Sequence, residues 1–151
     1  MQKRFDTLLK TRQLLLNIIE PLNIDQLNKI PNGFKNNIVW NVAHLLVTQQ
    51  LLCYKLSGLD CLVSNELIEN FQKGSAPNYK VSETEFAKIK EQFLQLPIQL
   101  NADYEKEIFK NYHEYTTSVK VTITSIEDAI DFNLFHEGIH LGVVLPLLKF
   151  V

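Results

Sequence analysis

Apolar positions along the chain recur with two different periods, and the places where the period changes mark out its elements. Phe5, Leu8, Leu9, Leu15, Leu16, Ile19 and Leu22 return every three or four residues, which predicts an amphipathic helix over residues 2–20 that Pro21 helps to end. A short turn over 24–29 follows, then the punctuation of Pro31, Asn32 and Gly33. Asn36 or Asn37 can cap a second helix over 38–56, whose apolar residues lie almost all round it, so it should be mostly buried. Gly58 suits a left-handed terminator, and the residues after it, with Gly74 and Pro77 among them, carry no strong period and read as a long crossover connection.

Ser82-Glu83-Thr84-Glu85 has the pattern of a capping box and opens a third helix with a buried stripe of Phe86, Ile89, Phe93, Leu96 and Leu100. Pro97 should kink it or end it early. Within 109–124 the period falls to two, as Val119, Val121 and Ile123 alternate with Lys120 and Thr122, so a short strand or hairpin is expected there. Thr124 or Ser125 then caps a fourth helix running to about Leu148, with Glu127 and Asp128 against the positive end of its dipole. The expected fold is therefore all-α: a four-helix bundle over residues 1–151 as a single domain, with a long crossover between helices two and three and a short β excursion before helix four.

Composition narrows the function. A chain of 151 residues, 46% hydrophobic and 21% charged, is long enough for one sizeable core and too short for two ordinary domains. The net charge is −2 and the basic residues are scattered, so no surface offers phosphate neutralisation and nucleic acid is not the expected partner. Met1-Gln2-Lys3-Arg4 leads into Phe5-Asp6 rather than an unbroken apolar segment, and no later stretch reaches bilayer length; a cytoplasmic protein without membrane contact is expected. Cys53 and Cys61 fit reduced, partly buried thiols better than a disulfide framework.

The candidate chemistry lies in the histidines. His136 and His140 are one helical turn apart, separated by roughly 40° around the axis, so both imidazoles can serve one ion. The same wheel places Ala129, Phe132, Val143 and Leu147 beside them, which turns the pair inward; around His44 it gathers Trp40, Asn41, Val47, Thr48 and Leu51. Buried imidazoles need partners for their nitrogens, and three nitrogen ligands with an open position form a common zinc arrangement. At about 1.5 Å rise per residue, His44 comes level with the pair if helices two and four run antiparallel. His113 falls outside both helices and is expected to be a solvated loop residue.

His136-Glu137-Gly138-Ile139-His140 also spells the H-E-x-x-H pattern of zinc proteases. Those enzymes usually take a third ligand downstream, and the eleven residues after His140 contain no His, Asp or Glu. A different resemblance covers nearly the whole chain. Asp25-Gln26-Leu27-Asn28-Lys29-Ile30-Pro31-Asn32-Gly33-Phe34, Asn37-Ile38-Val39-Trp40-Asn41-Val42-Ala43-His44, and Phe132-Asn133-Leu134-Phe135-His136-Glu137-Gly138-Ile139-His140-Leu141-Gly142 together resemble the DinB-like metal-binding four-helix bundles, which include bacterial thiol-dependent transferases. That resemblance implies a triad of His44, His136 and His140 holding nickel or zinc. It does not imply polymerase or DNA-binding activity.

Three neutral imidazoles would leave a divalent ion its full charge and an open position, where water or a thiol is acidified. The reaction classes that follow are thiol S-transfer and hydrolysis of a small-molecule substrate, with a low-molecular-weight thiol as the candidate cofactor; the alternative is a non-catalytic bundle using its ion structurally or to sense a ligand. Glu137, on the flank of the inner face, is a candidate proton shuttle or merely one half of a surface pair. Asn41 and Asn133 each precede a candidate ligand by three residues and could orient it. Acid below about pH 6 is expected to compete with the metal, since the reference histidine pKa is about 6.5. The apolar end Leu141 to Val151 can complete the core or pair with a second subunit, and of the two a homodimer is the expectation.

Overall fold

The computed structural model describes residues 1–151. Six α-helices and one two-stranded sheet follow in the order α1 (Gln2–Ile19), α2 (Ile24–Asn28), α3 (Ile38–Cys53), α4 (Asn65–Phe71), α5 (Glu83–Glu105), β1 (Tyr115–Thr116), β2 (Thr122–Ile123) and α6 (Ile126–Leu147). The four expected helices correspond to α1, α3, α5 and α6; α2 and α4 are additional. Both are short enough to escape a periodicity reading, yet both are capped. Asn23 and Gln26 form a reciprocal capping box on α2, and the Ser64 hydroxyl accepts from the Leu67 amide at the start of α4.

Local chemistry sets the longer elements. The Asn37 side chain accepts from the Trp40 amide to open α3, whose residues are buried on nearly every side. A 3-10 turn (Lys55–Ser57) follows and ends at Gly58, with φ of +74°, where a left-handed residue is needed. Ser82 caps α5 through the Glu85 amide, but the reciprocal half of the expected box is missing, because the Glu85 carboxylate instead accepts from the Tyr79 hydroxyl at 2.5 Å. Pro97 does not end α5, which continues to Glu105. A proline lacks the amide that would bond the carbonyl four residues back, that of Phe93, and here Arg12 Nη1 donates to that oxygen at 2.9 Å. The interruption is repaired from another helix.

The β excursion is shorter than the alternation predicted. Tyr115 pairs with Ile123 and Thr116 with Thr122, antiparallel, while Lys120 takes a φ of +64° in the intervening turn. Val119 and Val121 stay exposed and Ile123 alone is buried, so the period of two had one apolar anchor and not three. Ser125 caps α6 through the Asp128 amide.

Helix α3 packs against α5 and α6, and α1 packs against the same two. Tyr54 reaches Asp103 and Gln49 reaches the Leu96 carbonyl, so α3 and α5 run parallel. Asn41 meets His140 while Leu52 and Cys53 share a core cluster with Ile126 and Ile130, so α3 and α6 run antiparallel. The connection carrying α4 makes this order possible, returning the chain so that two consecutive long helices point the same way. A larger core around Leu45, Leu46 and Phe93 and a smaller one around Leu8, Leu100 and Ile130 fill the interior. No helix is long and apolar enough to cross a membrane.

Candidate metal centre

Because α3 and α6 are antiparallel, His44 in the middle of one comes level with the pair on the other. The candidate ligand atoms of His44, His136 and His140 all lie within 4.8 Å of one another. Ring centroids are 5.2 Å apart for His44 and His136, 4.7 Å for His44 and His140, and 4.5 Å for His136 and His140. Trp40, one turn before His44, stacks on it at 4.5 Å with 10° between the planes and shields that face.

Hydrogen bonds fix which nitrogen two of the three rings present. His44 Nδ1 lies 2.7 Å from the Phe71 carbonyl, which can only accept, so Nδ1 carries the proton and Nε2 keeps its lone pair. Thr48 Oγ1 is 3.3 Å from that Nε2. His140 Nδ1 lies 2.7 Å from Asn41 Oδ1, and the amide cannot be the other way round, because Asn41 Nδ2 already donates to the Asn37 carbonyl at 2.7 Å and to Asn36 Oδ1 at 3.1 Å. His140 therefore also offers Nε2. His136 Nδ1 is buried with no protein partner. Two oriented rings and one orphaned nitrogen, converging within a few ångströms, fit a divalent ion better than they fit a closed hydrogen-bond network.

The electrostatics favour unprotonated rings. Burial lowers the pKa of all three: His136 to about 4 and His140 to about 3, each pushed further by neighbouring histidine charge, while the Phe71 carbonyl partly opposes the shift at His44. This moves the acid limit on metal binding below the pH 6 expected from the free amino acid, because the rings are already held neutral there. It also sets a pH dependence for the metal-free protein. An unfolded chain takes up protons at its histidines near pH 6.5, before the folded one does, so stability is complete above that pH and falls as pH drops toward about 4. His136 alone should contribute a loss of about 3 kcal/mol by the bottom of that window. Urea unfolding of metal-free protein between pH 7.5 and 4 measures it, and a slope no steeper than that of His136→Ala would refute it.

Other expected residues fall differently. Asn41 orients a candidate ligand, though it serves His140 across the interface and not its own helix neighbour His44. Asn133 serves none of the three; its Nδ2 donates to Glu137 Oε1 at 3.3 Å. Glu137 is no surface residue: it is 1% exposed and paired with Arg12, itself 0% exposed, at 2.6 Å. It does not line the cavity above the histidines. His113 is exposed and outside the cluster, its amide donating to the Leu56 carbonyl. Both cysteines are free thiols, and burial pushes Cys53 up to about 12. Phe71 and Arg12 went unrecognised in the sequence. Phe71 belongs to the short α4, but Arg12 stands in the stripe of Phe5, Leu8, Leu15 and Ile19, where a charge at a core position was the signal to follow.

Removing Asn41 should show how much ligand orientation matters. Asn41→Ala leaves His140 free to rotate and is expected to weaken zinc binding tenfold to about a hundredfold. Equilibrium titration with a chromogenic competitor reads this, and wild-type affinity in the variant would show that Asn41 is not an orienting partner.

Above the three rings opens a cavity of about 590 Å³. Trp40, Leu51, Phe132 and Ile139 form apolar walls, while Thr48, Thr117, Lys55 and Lys73 supply polar groups. A family model described as the DinB superfamily matches residues 7–144. No curated protein matches the chain.

Proposed function

The chain belongs to the DinB superfamily, and from that membership and the converging histidines we propose that it binds one zinc or nickel ion through His44, His136 and His140 and acts as a metal-dependent thiol S-transferase on a small molecule. The observation that carries the reading is the three-histidine cluster at the floor of a cavity. A structural ion would more naturally be closed in by four protein ligands. When bound, the ion would supply Lewis acidity, lowering the pKa of a thiol placed beside it.

The chain's own residues do the rest. Trp40 and the Phe71 carbonyl fix the His44 ring, and Asn41 fixes His140, so two of the three ligands are held in advance of the ion. The apolar walls receive the body of a substrate and exclude water from it. Thiol transfer is preferred over hydrolysis because hydrolysis is helped by a carboxylate that takes a proton from water, and the nearest candidate in sequence, Glu137, is committed to Arg12. In this reading the four long helices form a four-helix bundle and a single cytoplasmic domain over 1–151, and the exposed Phe135 and Leu145 of α6 suit a homodimer contact.

Metal analysis of untagged protein, followed by a screen of zinc- and nickel-loaded protein for transfer of small thiols onto electrophilic carbon, tests the proposal. A tag of histidines would confound the first step. One ion per chain and thiol-dependent turnover are expected; loaded protein that turns over no thiol would leave only metal binding.

A further inference from the structure

The cavity above the histidines carries charge of one sign. Lys55 and Lys73 line it, and no aspartate or glutamate does. None of the protein's ion pairs involves either lysine. This is notable in a chain with more acidic than basic residues, 17 against 15, in which a random surface concavity would include carboxylates. The two lysines come from different elements. Lys55 stands in the 3-10 turn that ends α3, and Lys73 follows α4, two residues beyond the Phe71 carbonyl that holds His44. Three neutral imidazoles at the floor would leave an ion's double charge uncompensated, which adds to the same sign. Positive charge concentrated in a partly walled cavity raises the local concentration of anions, and the apolar walls strengthen that field.

We propose that the cavity binds a small molecule with an apolar body and an anionic group, a carboxylate or a phosphate, the anion held through Lys55 and Lys73 and the body against Trp40, Phe132 and Ile139. This deepens the metal-dependent reading of the same site, while the lysines' place in the cavity lining does not depend on an ion.

The test titrates 3-phenylpropanoate, phenyl phosphate and the neutral 3-phenylpropanamide into untagged protein, metal-free and zinc-loaded, as wild type and as Lys55→Gln/Lys73→Gln. Both lysines are exposed, so the variant should fold normally. At least one anionic probe should bind about tenfold more tightly than the amide in metal-free protein, and the double variant should lose about that tenfold without changing amide affinity. The carboxylate and phosphate arms decide which head the site takes. The proposal is overturned if the amide binds as well as both anions, if the double variant binds the anions like wild type, if no anion binds, or if the preference exists only with zinc present. Lysine-dependent anion binding in a protein that takes up no zinc would sink the metal reading and keep this one.

Discussion

Glu137→Gln is expected to destabilise the protein by about 3–5 kcal/mol, the scale for breaking a buried ion pair from one side. The Arg12 guanidinium is fully buried. It donates through Nε and Nη2 to Glu137 Oε1, through Nη1 to the Phe93 carbonyl and through Nη2 to the Leu45 carbonyl, and it lies 4.3 Å from the centre of the Phe93 ring. A glutamine can still accept one hydrogen bond but leaves the guanidinium charge unopposed where water cannot reach it. Arg12→Met should cost less, because burial raises the Glu137 pKa and a lone Glu137 can protonate. The double change Arg12→Met/Glu137→Leu should recover much of the loss, since two apolar side chains demand no counter-charge. Urea unfolding of wild type, Arg12→Met, Glu137→Leu and the double variant gives the coupling, with Glu137→Gln measured beside them. A Glu137→Gln midpoint equal to wild type would show that the pair contributes nothing. The same variant addresses chemistry: a proton-moving Glu137 would lose about 10²-fold in turnover with metal retained, whereas the pairing with Arg12 predicts that the folded fraction keeps both.

Replacing any one of His44, His136 and His140 by alanine should remove most metal affinity, at least about a hundredfold, which exceeds the usual effect of an outer hydrogen-bond partner. Two remaining imidazoles cannot match the three converging ring nitrogens that the cluster presents. His113→Ala should bind as wild type does, because that ring is outside the cluster. Thermal unfolding gives a second readout. At a hundredfold excess of ion over its dissociation constant, wild-type protein should gain about 2.7 kcal/mol, a gain the triad variants lose. Undiminished zinc binding in His44→Ala would show that the third ligand lies elsewhere.

The triad was legible because imidazoles are rare in this chain and their spacing is diagnostic. Two of them one turn apart on an inward face, and a third on an all-round apolar helix, point to a shared ion, since an apolar core has little else to offer their ring nitrogens. The long connection between α3 and α5 was legible as a crossover, and its length allows their parallel order. What stayed hidden had weaker local signals. Helices α2 and α4 are too short for a period to emerge, so the Phe71 carbonyl could not be placed beside His44. The course of α5 through Pro97 depends on a donor from Arg12, a contact made across 81 positions of sequence. Glu137 lay within the H-E-x-x-H pattern, which drew it toward chemistry, while its partner 125 positions away places it in the interior.

Arg12 also constrains the order of assembly. Its own helix is α1, and its partners lie on α3, α5 and α6, so one guanidinium joins all four long helices. An intermediate that docks three of them must either keep this charge hydrated, holding the centre of the core open, or bury it short of partners. Neither compact state is favourable, which penalises partly folded species and steepens the final transition. Because Glu137 sits between His136 and His140 in α6, peeling that helix away would uncover the charge together with the ligands. Detaching α6 is thus costly, and the three histidines stay together for as long as the interior does.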